Sequence, residues 1–220
     1  AFFADWAMTL LDHTIDHEEV TNVIRYDPAG VAALITPWNA PLMLTTWKLG
    51  PALATGNSVI LKPAEQSPFT ALKFGELAVE AGIPPGVLNV VPGLGHIAGR
   101  ALGLHMDVDC VGFTGSTEVG KYFMQYSGQS NIKRIGLELG GKSPQVVLAD
   151  CEDLDAAAAG IAAGIFANTG QVCNAGSRLI VDAKIRDVLL EKIAAQAKIF
   201  APGDPLSATT RMGSMVSEEQ

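Results

Sequence analysis

The chain has 220 residues, 48% of them hydrophobic, and its 23 acidic residues outnumber 15 basic ones to give a net charge of −8. This composition predicts a globular protein with a sizeable core. A negative average field repels phosphate backbones and anionic membrane surfaces, which argues against nucleic-acid and membrane-surface partners. The sequence contains neither a membrane span, which needs roughly 20 apolar residues, nor a signal-peptide pattern. We expect a cytoplasmic protein.

Five short apolar runs alternate with segments of helical periodicity. The runs are 29–36, 58–62, 87–91, 109–113 and 132–137. One intervening segment places apolar residues of 71–78 on a single helix face, and Gly82 with the prolines that follow ends it. Such alternation predicts a parallel sheet with crossover helices. The fold class predicted for this part of the chain is a doubly wound, Rossmann-like α/β unit.

The pattern changes after about residue 140, where a second α/β domain is expected to begin. Its predicted elements are an apolar run at 145–149, an Ala-rich helix over 153–168, a strand at 178–181 and a helix over 185–199. Before residue 28, the alternating stretch 19–26 predicts an edge or protruding strand. The predicted domains are therefore 1–28, an N-terminal helix end and protruding strand; 29–140, a dinucleotide-binding domain; and 141–220, the first part of a catalytic domain.

The chain begins with Ala1 rather than Met, and Ser217–Gln220 has the composition of the first turn of an unfinished helix. We therefore expect a segment of a longer protein.

The cysteines, Cys110, Cys151 and Cys173, are three in number and widely spaced, which indicates a reducing compartment and no zinc or redox pair. Cys173 lies among small residues in 170–177, where the backbone can approach a bound group. On local sequence alone, a nucleophile and a buried structural thiol are equally good interpretations. Cys110 in an apolar strand and Cys151 beside two acidic residues favour structural roles. A polar cluster of His13, Asp16, His17 and Glu18 is interpreted as solvated, so no metal site is predicted.

Glu138 and Asn39 are candidates for polar catalysis. Glu138 ends a predicted strand between apolar neighbours, so partial burial is expected to raise the pKa of its carboxyl toward that of a general base. Pairing with Lys142 or Arg134 is an equally good structural alternative. Asn39 follows the strand at 29–36, where its amide could donate to an oxyanion, although an asparagine between prolines also suits a turn.

Three segments could bind a dinucleotide. The stretch 93–98 matches G-x-G-x-x-A only weakly, whereas 113–120 runs from a strand into a helix N-terminus and is the better pyrophosphate site. The third segment, Lys62 to Glu65, follows the strand at 58–62. A carboxylate there would accept both hydroxyls of an adenosine ribose and repel a 2′-phosphate, which favours NAD over NADP. The alternative is a solvated surface pair.

Five motifs in order resemble the aldehyde dehydrogenase superfamily, and more specifically the γ-glutamyl-γ-aminobutyraldehyde and betaine-aldehyde dehydrogenase type. They are Thr36-Pro37-Trp38-Asn39, the segment 47–57, Phe113-Thr114-Gly115-Ser116, the segment 138–144 and Gly170-Gln171-Val172-Cys173. The resemblance implies an enzyme that oxidises an aldehyde to a carboxylic acid with NAD. It also implies a homodimer or homotetramer of a longer protein, whose missing parts complete the cofactor domain and the substrate tunnel.

The resemblance assigns roles to individual residues. It implies Cys173 as the nucleophile, Glu138 as the base for water, Asn39 as the oxyanion donor and Lys48 on a proton path behind Glu138. The implied cofactor contacts are Thr36, Pro37, Trp38, Lys62, Glu65, Gly95, Gly99, Phe113, Thr114, Gly115, Ser116, Leu139 and Gly140. Three alternatives stay open: transfer of the thioester to coenzyme A, a non-catalytic relative or fragment that keeps dinucleotide binding, and cofactor-independent esterase activity.

Overall fold

A computed structural model describes residues 2–220 of the chain, and residue 1 lies outside the described residues. The chain divides into two compact units, the first ending at Leu139 and the second spanning Gly140–Gln220. Within residues 2–220, every helix is too short or too polar to cross a bilayer.

The first unit is built on a five-stranded parallel sheet. Its strands are β3 (Val31–Ile35), β4 (Ser58–Lys62), β5 (Leu88–Val90), β6 (Cys110–Gly115) and β7 (Arg134–Leu139), in the spatial order β5-β4-β3-β6-β7. The helices of this unit are α1 (Phe2–Ala7), α2 (Pro41–Ala54), α3 (Phe69–Glu80), α4 (Arg100–Leu104) and α5 (Thr117–Gly128), with a π-helical turn at Gly95–Gly99. Two further strands, β1 (His13–His17) and β2 (Val20–Ile24), form an antiparallel hairpin.

Three of the apolar runs become strands that are largely buried, namely β3, β4 and β6. In β3, Ala32 and Leu34 pack with α2 and α3, whereas Ala33 and Ile35 pack on the opposite face with Phe123 of α5. Continuous apolar strands are what a parallel sheet covered by helices on both sides requires. The predicted α/β fold with a parallel central sheet is confirmed.

The second unit contains a smaller parallel pair of strands. Its elements are β8 (Pro144–Val147), α6 (Leu154–Phe166), β9 (Arg178–Val181), α7 (Arg186–Ala197) and a 3₁₀ turn at Lys198–Phe200. The two helices pack together around a core of Val147, Ala158, Ile161 and Leu189.

Two details of the predicted elements are wrong, and one strand was not predicted. The strand predicted at 19–26 is present as β2, and it pairs with a strand at His13–His17 whose polar sequence gave no apolar signal. The Ala-rich helix ends at Phe166 rather than at 168, because Asn168 and Thr169 have φ angles of 49° and 60°, outside the right-handed helical region. Residues 217–220 are not helical, since so short a segment cannot offset the cost of nucleating a helix.

Candidate active site

Residues 36–39 follow β3 at the carboxyl edge of the sheet, where doubly wound folds bind their ligands. The Thr36 N–H donates to the carbonyl of Lys62 at 3.1 Å, which ties together the ends of β3 and β4. Thr36 is buried, and its hydroxyl has no hydrogen-bond partner within residues 2–220. Pro37, Trp38 and Asn39 are half-buried. A buried hydroxyl at this edge is a polar group that a bound molecule could satisfy.

Three of the predicted cofactor contacts lie together at the same edge. The ammonium of Lys62, whose side chain is 3% exposed, donates to one carboxylate oxygen of Glu65 at 3.2 Å. The other oxygen accepts from the Gly95 N–H at 3.5 Å. Burial raises the pKa of the Glu65 carboxyl. The N–H groups of Glu65 and Gly95 and the Lys62 charge lower this pKa by a larger amount, so it lies below its usual value. This arrangement keeps Glu65 ionised and fixed in place.

Gly99, which with Gly95 was the loosest of the predicted contacts, is buried at the end of the π-helical turn. A Cβ built on Gly99 would lie 3.8 Å from the ring of Phe123, so the residue packs against α5. Gly99 therefore has a packing role, and its contact with a cofactor stays a prediction.

The stretch from Phe113 to Ser116 leads from β6 into α5. Phe113 and Thr114 are buried, so their side chains belong mainly to the core. Gly115 must lack a side chain, because a Cβ there would lie 2.5 Å from the Phe113 ring. Ser116 caps α5 by accepting a hydrogen bond from the Val119 N–H at 3.2 Å. The N-terminal turn of this helix thus follows the end of a strand, which is a position where helices commonly bind anions.

Glu138 is exposed rather than partly buried, so the expectation of a desolvated carboxylate is wrong. The reason is that β7 is the edge strand of the sheet. Lys48, on α2, is half-buried, and its amine lies 3.8 Å from a Cβ built on Gly112. Burial lowers the pKa of Lys48, and the charge of Glu138 partly opposes this effect. The two residues therefore interact electrostatically, and the proton path through Lys48 stays a prediction.

The last two predicted contacts, Leu139 and Gly140, stand at the point where the units divide. Leu139 ends β7 and packs against Gly120, where a Cβ would approach its methyl group to 2.7 Å. Gly140 is exposed.

In the second unit, Cys173 lies in the segment between α6 and β9. It is half-buried and occupies a turn closed by the Ala175 N–H, which donates to the Val172 carbonyl at 3.1 Å. Gly141 runs alongside, where a Cβ would come within 3.3 Å of the Cys173 carbonyl oxygen. Close packing of backbone on backbone agrees with the small residues that flank this thiol.

The other two cysteines are in different surroundings. Cys110 is half-buried in β6, where burial and then the charge of Asp109 raise the pKa of its thiol. Cys151 is also half-buried, and its sulfur lies 3.6 Å from the Asp153 carbonyl. A raised pKa makes Cys110 a poor nucleophile.

Comparison with known proteins gives the chain its family. The model of the aldehyde dehydrogenase family matches residues 1–220. The chain belongs to the aldehyde dehydrogenase family. It is 54% identical over 203 residues to the NADP/NAD-dependent aldehyde dehydrogenase PuuC of Escherichia coli K12, a match that covers 92% of this chain and 41% of the relative.

Solved structures of aldehyde dehydrogenases share the fold. A γ-glutamyl-γ-aminobutyraldehyde dehydrogenase from Burkholderia cenocepacia is 49% identical with a TM-score of 0.94, over 99% of this chain and 45% of that one. The indole-3-acetaldehyde dehydrogenase AldA of P. syringae, in complex with NAD+ and IAA, is 50% identical with a TM-score of 0.94, over 97% of this chain and 44% of that one. The chain thus spans less than half the length of the aldehyde dehydrogenases it matches.

Two polar residues beside Cys173 received no role from the sequence. Gln171 was recognised only as part of the aldehyde dehydrogenase motif that contains the cysteine, and Gln145 as part of an apolar run. In the structure, both side chains bind backbone groups of the segment that carries Cys173. The hydrogen-bond partner is 3 positions away for Gln171 and 31 positions away for Gln145. The local sequence gave no signal for these contacts.

Proposed function

We propose that the protein containing this chain oxidises an aldehyde to a carboxylic acid with NAD, through a covalent intermediate on Cys173. The observation that carries the proposal is the cluster of Lys62, Glu65 and Gly95, which presents an ionised carboxylate at the ligand-binding edge of a parallel sheet. Family membership supports the reaction, and the small-residue surroundings of Cys173 support its role.

The residues present fit a dinucleotide. Glu65 would accept hydrogen bonds from the adenosine ribose, the α5 N-terminus capped by Ser116 would hold the pyrophosphate, and the buried Thr36 hydroxyl would gain a partner. NAD, when bound, supplies the acceptor for the hydride that leaves the substrate carbon.

In the proposed reaction, the Cys173 thiolate adds to the aldehyde carbon to give a tetrahedral thiohemiacetal. The Asn39 amide and the Cys173 N–H donate to its oxyanion. Loss of hydride from that carbon leaves an acyl thioester on Cys173. Glu138 takes a proton from water, which attacks the thioester and releases the acid and the thiol. Lys48 would help to carry that proton away from Glu138, consistent with their electrostatic interaction.

The first test follows NADH formation with a panel of aliphatic and amino aldehydes. We expect turnover by the full-length protein, and we expect Cys173→Ala to abolish it. Cys110→Ala is the matched control, because the Cys110 thiol has a raised pKa and should not act as a nucleophile. Turnover that survives Cys173→Ala, or none on any aldehyde, would contradict the proposal. If coenzyme A were needed for product release, the acylating alternative would replace hydrolysis.

Cofactor preference has its own test in Glu65→Gln. Removing the carboxylate charge removes its repulsion of a 2′-phosphate, so kcat/KM with NADP relative to NAD should rise by about 10-fold or more. Glu76→Gln is the control, since Glu76 lies on α3 and pairs only with exposed Lys73. An unchanged ratio would mean that Glu65 does not contact the ribose.

The substrate class and the assembly are part of the same proposal. Amino aldehydes are the first choice, because one of the matching structures is a γ-glutamyl-γ-aminobutyraldehyde dehydrogenase. A homodimer or homotetramer is proposed on the exposed hairpin β1–β2, whose apolar side chains face solvent. A cytoplasmic location accords with the unbridged state of Cys110, Cys151 and Cys173.

A further inference from the structure

The segment before Cys173 has an unusual backbone. Asn168, Thr169 and Gly170 are consecutive left-handed residues, with φ angles of 49°, 60° and 73°. A β-branched residue such as Thr169 rarely adopts this conformation, because its side chain crowds the backbone. Such a run persists only where the surrounding structure holds it, and strained backbone of this kind concentrates at functional sites.

Reciprocal hydrogen bonds close this left-handed run. The Gln171 N–H and the Gln171 side-chain amide both donate to the Asn168 carbonyl, each at 3.1 Å. The Asn168 amide donates in return to the Gln171 carbonyl at 3.3 Å. These bonds fix the backbone two residues before Cys173.

The Gln171 side chain also reaches a distant part of the second unit. Its oxygen accepts from the Val216 N–H at 2.9 Å, a contact between residues 45 positions apart. One amide therefore joins the left-handed run to the segment near the end of the chain.

A second glutamine holds the other end of the cysteine segment. The Gln145 amide donates to the Gly176 carbonyl at 2.8 Å and to the Ile161 carbonyl of α6 at 3.3 Å. The fit is close, since a Cβ built on Gly176 would lie 2.4 Å from Gln145, and one on Gly164 would lie 3.0 Å from it. Gln145 thus connects the backbone three residues after Cys173 to β8 and α6.

We propose that Gln171 and Gln145 are positioning residues for Cys173, an inference that rests on the proposed role of Cys173 as the nucleophile. The turn at 172–175 belongs to no helix or strand, so its location depends on the groups that bind its flanks. The two amides hold those flanks from opposite sides. Gln145 connects one flank to β8 and α6, and Gln171 connects the other flank to the segment at Val216. These connections fix the position of the thiol when it attacks.

The test replaces each glutamine by methionine, which keeps a similar size but neither donates nor accepts as an amide does. In the full-length protein, Gln171→Met and Gln145→Met should each lower kcat by roughly 10- to 100-fold, because small displacements of a reacting group have effects of this size. KM for NAD should change little. The rate of Cys173 alkylation by iodoacetamide, measured by mass spectrometry, should change as well. Gln196→Met on α7 is the matched control, and it should leave kcat, KM for NAD and the alkylation rate unchanged.

Two comparisons separate the possible failures. A purely structural role would lower the melting temperature and the yield of folded protein, yet leave kcat per NAD-binding site and Cys173 alkylation at the wild-type values. That result would overturn the inference while Cys173→Ala still abolished turnover and upheld the proposed function. Turnover by Cys173→Ala would instead overturn both. If Gln145→Met does not fold, the inference is tested by Gln171→Met alone, because Gln171 lies outside the core of the second unit.

Discussion

At the scale of single residues, the chain contains two lysine–glutamate pairs with the same spacing. Lys62 pairs with Glu65 and Lys73 with Glu76, in each case three positions apart. They differ in burial: the Lys62 side chain is 3% exposed, whereas that of Lys73 is 62% exposed. An ammonium removed from water depends far more on its partner than one that water already solvates.

This difference predicts the effect of Glu65→Gln on stability. Glu65 has a folded-state pKa below its usual value of 4.5, so its charge stabilises the fold above that value, and the effect is lost as the pH falls through the folded-state pKa. At neutral pH the substitution should lower the free energy of unfolding by about 1 kcal/mol. In acid, below the folded-state pKa, the difference from wild type should shrink.

Urea unfolding at both pH values measures this change, with Glu76→Gln as the control. The control should cause almost no change, because its ion pair is exposed on both sides. Equal effects of the two substitutions would show that the burial of Lys62 is not what matters.

Strain at Ile132 leads to a second residue-scale prediction. Ile132 has a φ of 59° and a side chain that is 81% exposed, so it carries the strain of a left-handed β-branched residue without burying its side chain. Asparagine tolerates this conformation. Ile132→Asn should therefore raise the free energy of unfolding by about 1 kcal/mol.

Thermal and urea unfolding would detect the gain at Ile132. The matched control is Ile180→Asn, at an exposed position of β9 whose φ is not in the left-handed region. No gain at Ile132, or an equal gain at both positions, would argue against strain as the cause.

At the scale of secondary-structure elements, the cap of α5 combines stability with ligand binding. Ser116 accepts from the Val119 N–H, and the same helix N-terminus is the proposed pyrophosphate site. Ser116→Ala should lower the free energy of unfolding by about 1 kcal/mol, whereas Ser116→Asp keeps a capping oxygen and should preserve stability. Its negative charge should nevertheless weaken NAD binding through repulsion of the pyrophosphate.

The two readouts for Ser116 are urea unfolding without cofactor and calorimetric titration with NAD. Opposite ranking of the Asp and Ala variants in the two measurements is the expected result. If Ser116→Asp bound NAD as tightly as wild type, the pyrophosphate could not lie at this helix.

Elements with a strong periodic signal were predictable from the sequence. The apolar runs predicted all five parallel strands of the central sheet. In β3, β4 and β6, burial on both faces accounts for the continuous apolar sequence. The strand at His13–His17 was not found, because Ile15 is its one apolar residue and the sequence therefore shows no apolar alternation. The end of α6 was misplaced for a different reason: Asn168 and Thr169 adopt left-handed angles that ordinary helix-stop rules do not expect.

The candidate site was predictable only where roles follow from local motif. Lys62, Glu65 and Gly95, which the resemblance grouped as cofactor contacts, do come together. The exposure of Glu138 was not predictable, because it depends on β7 being the last strand of the sheet. The contacts of Gln145 and Gln171 depend on where distant backbone carbonyls and N–H groups are placed, which no local pattern encodes.

At the scale of the whole molecule, the hairpin β1–β2 raises the question of assembly. Opposite residues of an antiparallel pair share a face, so the register places Ile15, Val20 and Ile24 on one face of the hairpin and Val23 on the other. All are exposed, with Ile15 at 49% and Val20 at 57%. An isolated two-stranded hairpin is only marginally stable in water, so this face would gain most from being covered by a second copy of the protein.

Charges on that face should therefore disrupt assembly. Ile15→Lys combined with Val20→Lys should shift the full-length protein to a smaller species in light scattering after size exclusion, because a buried charge without a partner opposes association by several kcal/mol. Val23→Lys places a charge on the opposite face of the hairpin and should leave the molecular mass unchanged. A mass unaffected by the double substitution would exclude this face as the contact. Equal disruption by Val23→Lys would instead indicate that partners engage the hairpin through its backbone edge, where both faces lie close to the interface.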